Sequence, residues 1–168
     1  MVVDLEDIIR ELTPGLIRYC TARTHDRSLA EEVAQESLAA LVHHCHMHTA
    51  PDYPQAFVFA IARRRATRAV FRQRLWAPLR LLAERRDQAP DPEAKALEKS
   101  ESAVLARALE RLPIHDREAL LLVSLGGLKI TEAARALGIS ESAIKMRVLR
   151  GRKRLRALLE DGHEPARR

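Results

Sequence analysis

The sequence predicts an all-α protein made of two small helical domains joined by a linker, and three observations carry that reading. Each long segment repeats its apolar residues at helical spacing, and none alternates as a strand would. A polar, proline-bearing stretch from Asp87 to Glu93 divides the chain. Charge also comes in blocks, with a net −4 over residues 1–50, +7 over 51–86, −3 over 87–116 and +6 over 117–168. The boundaries expected are 1–78 for the first domain, 79–99 for the linker, 100–161 for the second domain and 162–168 for a frayed tail.

The first helix is expected from about Leu5 to Ala22, with Leu5, Ile8, Ile9, Leu12, Leu16 and Tyr19 on one face and Pro14-Gly15 as the point of interruption. The second begins at Ser28, whose spacing to Glu31 is that of a capping box, and runs to about His46. Its core arc is Ala30, Ala34, Leu38, Leu41, Val42 and Cys45, while Glu32, Gln35 and Glu36 fall on the opposite side. A break from Met47 to Pro54 contains Pro51, Asp52 and Tyr53, and Pro54 is placed to start the next helix.

The third helix is expected from Pro54 to Leu75. Val58, Phe59, Ala62, Ala66, Ala69 and Val70 form its apolar arc; Arg64, Arg65, Arg68 and Arg72 lie opposite, with Phe57, Ile61 and Phe71 among or beside them. Arginines interleaved with aromatics suit a nucleic acid, the guanidinium taking phosphate and the ring stacking on a base. Packing of Phe57 and Ile61 on another helix is the equally open alternative. A short helix is expected after Pro78, then the linker.

In the second domain one helix runs to about Leu112, another follows Pro113, and Gly126-Gly127 ends it. The stretch from Thr131 to Arg156 then reads as a helix-turn-helix. A short helix to Leu137 meets Gly138-Ile139-Ser140, where glycine tolerates a left-handed helix end and serine caps the next helix. Ala134, four residues before Gly138, is small where two helices must pack closely. Beyond the turn, Ile144, Val148, Leu155 and Leu159 make one buried stripe, and the remainder is basic.

Two basic blocks and a net charge of +6 point to a polyanion as partner. A membrane-surface role fits poorly with 4% aromatic residues, and no apolar run reaches membrane-spanning length. The opening MVVDLEDIIRE is too acidic for a signal peptide, so a cytoplasmic protein without membrane insertion is expected. Cys20 and Cys45 form no framework; on antiparallel helices they would lie roughly 25 Å apart at 1.5 Å per residue, too far for a disulfide. His43, His44, His46 and His48 invite a metal reading, since His44 and His48 share a helix face, but Cys45 points to the core arc and no further ligands lie beyond at site spacing. No metal, cofactor or catalytic residue is expected, and no enzyme, for want of a phosphate loop, a nucleophile with its base or paired carboxylates.

The chain resembles the bacterial RNA polymerase sigma factors of the extracytoplasmic-function group. The resemblance is carried first by Leu112-Pro113, Arg117-Glu118-Ala119-Leu120, Gly127-Leu128, Glu132-Ala133-Ala134, Leu137-Gly138-Ile139-Ser140 and Arg150-x-Arg152-Lys153-Arg154-Leu155. Ala30-Glu31-Glu32-Val33-Ala34-Gln35-Glu36 is similar to the family's acidic motif, and Phe57 to Arg63 to its third-helix motif. The resemblance implies a region 2 type bundle followed by a region 4 type helix-turn-helix, and three contacts. Glu32, Gln35 and Glu36 would dock on the clamp of the polymerase's largest subunit, and the second domain on its flap.

The loop holding Tyr53 would capture an unstacked base of the minus-ten element, with Phe57, Arg64, Arg65, Arg68 and Arg72 along the separated strand. Ser142, Lys145, Met146, Arg147 and Arg150 would reach base edges of the minus-thirty-five element, and Arg152, Lys153 and Arg154 its phosphates. A restraining anti-sigma protein is a further implication. The chain departs from the family's pattern at Arg64, usually asparagine, at Arg68, often acidic, and at Ser37-Leu38, where an aromatic is usual. A stand-alone helix-turn-helix regulator would need only residues 100–160; a sigma-like mimic that captures an anti-sigma protein would have little use for so basic a helix.

Overall fold

A computed structural model describes residues 5–84 and 101–161, with side chains described for 5–75 and 103–161. Among the described residues there are seven helices: α1 (Leu5–Thr24), α2 (Arg27–Met47), α3 (Pro54–Glu84), α4 (Glu101–Glu110), α5 (Ile114–Ser124), α6 (Ile130–Leu137) and α7 (Glu141–Asp161). The linker beyond Glu84 and the tail after Asp161 lie outside the described residues.

Glu6 and Asp7 in the first turn of α1 and Arg23 in its last complement the helix dipole. Pro14 sits inside the helix, so the expected interruption does not occur. The lost N–H bond is tolerated because Leu12, Gly15, Leu16, Tyr19 and Cys20 are buried on one side, and packing fixes the helix through the proline. The Thr13 hydroxyl donates to the Ile9 carbonyl at 2.6 Å in the same turn. The helix ends at His25, which adopts a left-handed φ of 55° without being glycine.

The start of α2 corrects the sequence reading. Asp26, not Ser28, is the N-cap, and its carboxylate accepts the Leu29 N–H at 3.0 Å. The buried stripe of α2 is Ala30, Val33, Ala34, Ser37 and Leu41, whereas Leu38, Val42 and Cys45 are only half-buried. Ser37 is fully buried because its hydroxyl donates to the Val33 carbonyl at 2.6 Å, leaving no polar group unsatisfied. A second correction concerns α3, which continues through Pro78 to Glu84 with no separate short helix. The run after Pro78, with Leu79, Arg80, Leu81, Leu82 and Ala83, consists of strong helix formers.

In the first half, α1, α2 and α3 pack around Leu16, Tyr19, Leu41, Val58 and Phe59. The Tyr19 and Phe59 rings meet edge to face at 5.4 Å, a geometry worth about 0.5–1.5 kcal/mol beyond simple burial. In the second half, α5 carries Leu120, Leu121 and Leu122 onto Ile144 and Val148 of α7 and the buried alanines of α6. Gly151 allows the closest approach of α7 to α5, since a Cβ there would stand 3.2 Å from the Asp116 carbonyl oxygen. The two halves also share one continuous core, with α6 against α3 and α5 against α1.

Candidate nucleic-acid interface

The turn that presents α7 is built as its residues require. Gly138 is left-handed at φ 67° and ψ 37°, its N–H reaches the Arg135 carbonyl at 3.2 Å, and the Ile139 N–H reaches Ala134 at 3.0 Å. Ser140 accepts the Ala143 N–H at 3.2 Å, and Thr131 ties the start of α6 to Glu141 at 3.0 Å. Ala134 is buried where α6 meets α7. Local chemistry thus sets the turn by which α7 leaves α6.

The remainder of α7 divides into two faces. Ser142, Lys145, Met146, Leu149, Lys153 and Arg156 are exposed along the outward arc, opposite buried Ile144, Val148 and Gly151, with Arg152 at its edge. Leu149 is 61% exposed, an apolar group among cations that periodicity alone does not single out. Arg147, Arg150 and Arg154 lie on the flank beside α5, with Arg147 half-buried. There Asp116, only 3% exposed, accepts from Arg150 Nη2 at 3.0 Å and from Arg154 Nη1 at 2.7 Å. Both arginines are thus held by a protein carboxylate, a pairing absent from the sequence reading. The available signal was Asp116 one turn before Leu120, a carboxylate on a core face that needs cationic partners.

The first half holds the other candidates. Tyr53 is half-buried, and the Arg135 guanidinium of α6 lies 3.8 Å from its ring centroid. Phe57 packs on the His44 ring at 4.8 Å, in keeping with the packing alternative for this residue. His44 also meets His48 at 5.0 Å, and no group of three metal-ligating side chains gathers among the described residues. Arg64 and Arg68 are exposed. Arg65 turns toward α2 and pairs with Glu36, so it does not stand with Arg64. Glu32, Glu36, Arg65, Arg68 and Arg72 line one groove between α2 and α3 beside Phe71, which is 68% exposed. Gln35 is exposed on the neighbouring turn of α2. The acidic and basic candidates expected on separate surfaces therefore share a groove.

Family comparison bears directly on this arrangement. The Sigma-70 region 2 model matches residues 8–75, and the Sigma-70 region 4 model matches residues 102–155. The chain is 33% identical over 165 residues to the ECF RNA polymerase sigma factor ShbA of Streptomyces griseus subsp. griseus, covering 92% of this chain and 86% of that protein. It belongs to the ECF RNA polymerase sigma factors.

The sigma factor is also 32% identical over 160 residues to SigD of Mycobacterium tuberculosis strain H37Rv, covering 90% of this chain and 75% of that one. Two solved structures share its fold. CnrH in complex with the cytosolic domain of CnrY superposes with a TM-score of 0.67 at 22% identity, covering 94% of this chain and 88% of that chain. RpoE in complex with the anti-sigma factor NepR from Bartonella quintana gives a TM-score of 0.64 at 21% identity, covering 94% and 97%. The sigma factor's region 4 match contains all of α5, α6 and the turn that fixes α7; its region 2 match ends near the exposed Leu75 of α3. Among the described residues, no helix is long and apolar enough to cross a membrane.

Proposed function

We propose that this sigma factor reads its upstream promoter element through Ser142, Lys145, Met146 and Leu149, with Arg152, Lys153 and Arg156 on the flanking phosphates. The observation that carries the reading is the outward arc of α7, where polar, cationic and apolar side chains stand together opposite a buried stripe. Such a set can donate to guanine, bond either base and touch a thymine methyl in the major groove. Arg147, Arg150 and Arg154 belong to the flank, and Asp116 sets where the last two can reach.

The minus-ten contact is assigned to Tyr53, Arg64, Arg68 and Arg72, with Phe57 shaping the loop from beneath. Exposed guanidiniums along α3 support it, since they can follow the phosphates of a separated strand while Tyr53 stacks on a base. Glu32, Gln35 and Glu36 are assigned to the polymerase clamp, and the second domain to the flap. The exposure of Gln35 and Glu36 on α2 supports this, and Arg65 holds Glu36 in position at the groove wall. The protein acts in the cytoplasm, by binding energy and without catalysis, melting DNA because unpaired bases fit it better than the duplex does. An anti-sigma protein restrains it, as the complexes of CnrH with CnrY and of RpoE with NepR support.

The test is co-elution with purified core polymerase, followed by footprinting on genomic fragments that the assembled enzyme retains. Two protected segments, one upstream and one overlapping the start, are the expected result. Duplex binding by the free chain with no retention by polymerase would instead describe a stand-alone regulator.

A further inference from the structure

The end of α2 carries His43, His44, His46 and His48 in close succession, with Cys45 among them. Cations suit a helix C-terminus, which accounts for histidine there but not for the way these are arranged. His44 and His48 stand one turn apart on a single face, while His43 and His46 fall on other faces. The His44 and His48 ring centroids are 5.0 Å apart, with the planes tilted by 42°. Two imidazoles bonded to one metal ion at about 2.0–2.1 Å, about 90–110° apart, have centroids roughly 4.5–5.2 Å apart. The pair therefore stands at chelating separation.

Packing and backbone hold it there. His44 is half-buried, its ring 4.8 Å from Phe57 near the start of α3. The His48 N–H donates to the His44 carbonyl at 2.8 Å, which keeps the turn closed although His48 itself has extended dihedrals. His48 is exposed, so the outer side of the pair is open to solvent. Little side-chain ordering is left to oppose binding.

We propose that His44 and His48 bind a late first-row divalent metal ion, the protein supplying two imidazole nitrogens and water the remaining positions. Imidazole suits nickel, copper and zinc, with copper held most tightly along the series. Calcium and magnesium take oxygen ligands and are not candidates. No third histidine, cysteine or carboxylate joins the pair among the described residues, so the site is an open, exchangeable one and not a closed structural one. Cys45 packs against the core and is not a ligand. The ion sits at the root of the Met47–Pro54 break, and the site stands whether or not Tyr53 meets the minus-ten element.

The test is calorimetric titration of the full-length chain with Ni²⁺, which does not oxidise the two thiols. Wild type is expected to bind a single equivalent saturably and to melt later when Ni²⁺ is present. His48→Ala removes one of the two ligands, and with it the chelate gain, so binding should weaken by at least about tenfold. Because His48 is exposed and follows the last residue of α2, this variant should melt with wild type in the absence of metal. His43→Ala combined with His46→Ala should leave the affinity unchanged. Equal Ni²⁺ affinity in wild type and His48→Ala would overturn the proposal, as would a wild type that takes up no Ni²⁺ saturably. An equal loss in the His43→Ala, His46→Ala chain would also overturn it, by showing diffuse attraction to a histidine-rich segment.

Discussion

Arg154 Nη1 lies 2.7 Å from Asp116 Oδ2, and this contact fixes the flank of α7 to α5 beneath it. Because the guanidinium is half exposed while the carboxylate is buried, the asymmetry matters: removing the acid leaves the base in water, whereas removing the base would strand the acid. Asp116→Asn is therefore expected to cost about 1–2 kcal/mol in urea unfolding, and Arg154→Ala with Arg150→Ala together at least as much. The freed arginines should also steepen the salt dependence of duplex binding, by about one unit of slope for each that gains a phosphate.

The two faces of α7 should separate by kind of defect. Lys145→Ala is expected to weaken binding to the best upstream sequence by about 1–3 kcal/mol and to relax preference at one or two base pairs. Lys153→Ala should weaken all duplexes alike and lower the salt slope by about one. Competition binding against a set of single-base variants distinguishes the two.

In the α2–α3 groove, Glu36 and Arg65 are paired but solvent-facing, so the pair itself contributes at most about 1 kcal/mol to folding. Glu36→Ala is expected to leave the thermal midpoint nearly unchanged and to weaken core-polymerase binding at least tenfold. Arg65→Ala should leave the midpoint equally unmoved, and its effect on polymerase binding should be smaller because the Glu36 carboxylate, proposed to dock, remains.

Alkaline pH should destabilise the fold through the first domain's core. Burial pushes the Cys20 thiol from 9.0 to about 12, and burial, then the neighbouring Glu118 carboxylate, raises Tyr19 well above its ordinary value of 10.0. Both groups hold their protons more tightly folded than unfolded. Their contribution is fully present below pH 9 and is lost as pH rises toward 12. Urea midpoints measured at pH 7, 9 and 10.5 should fall across the last interval, and less steeply in Cys20→Ala. Half-buried Cys45 should alkylate before Cys20.

The helix-turn-helix is legible in the sequence because its signals are local: Gly138 for the left-handed turn, Ser140 for the cap and Ala134 for the close packing all act within a few residues. The cap of α2 lies two residues from its expected place because Asp26 and Ser28 both suit the position. The choice fell to Asp26, whose other oxygen also accepts from Gln73 of α3 at 3.2 Å. Pro14 misleads for a similar reason, its local cost being outweighed by the burial on either side of it.

What periodicity cannot show is pairing across distance. Asp116 with Arg150, Glu36 with Arg65 and Glu118 with Tyr19 join residues 34, 29 and 99 positions apart. Each decides which face of a helix remains free, so the candidate residues can be named from the sequence while their grouping into surfaces cannot. The shared core of the two halves is hidden for the same reason, since Gly15 and Gly126 carry no mark in sequence of the close approach they allow.

Run-off transcription on a fragment retained by the assembled enzyme tests the central claim most directly. Core polymerase supplemented with this chain is expected to initiate at one defined start, and that start should vanish with Glu36→Ala and shift in promoter preference with Lys145→Ala. Transcription that is no more specific than that of core polymerase alone, while the chain still binds the same duplex, would contradict the account.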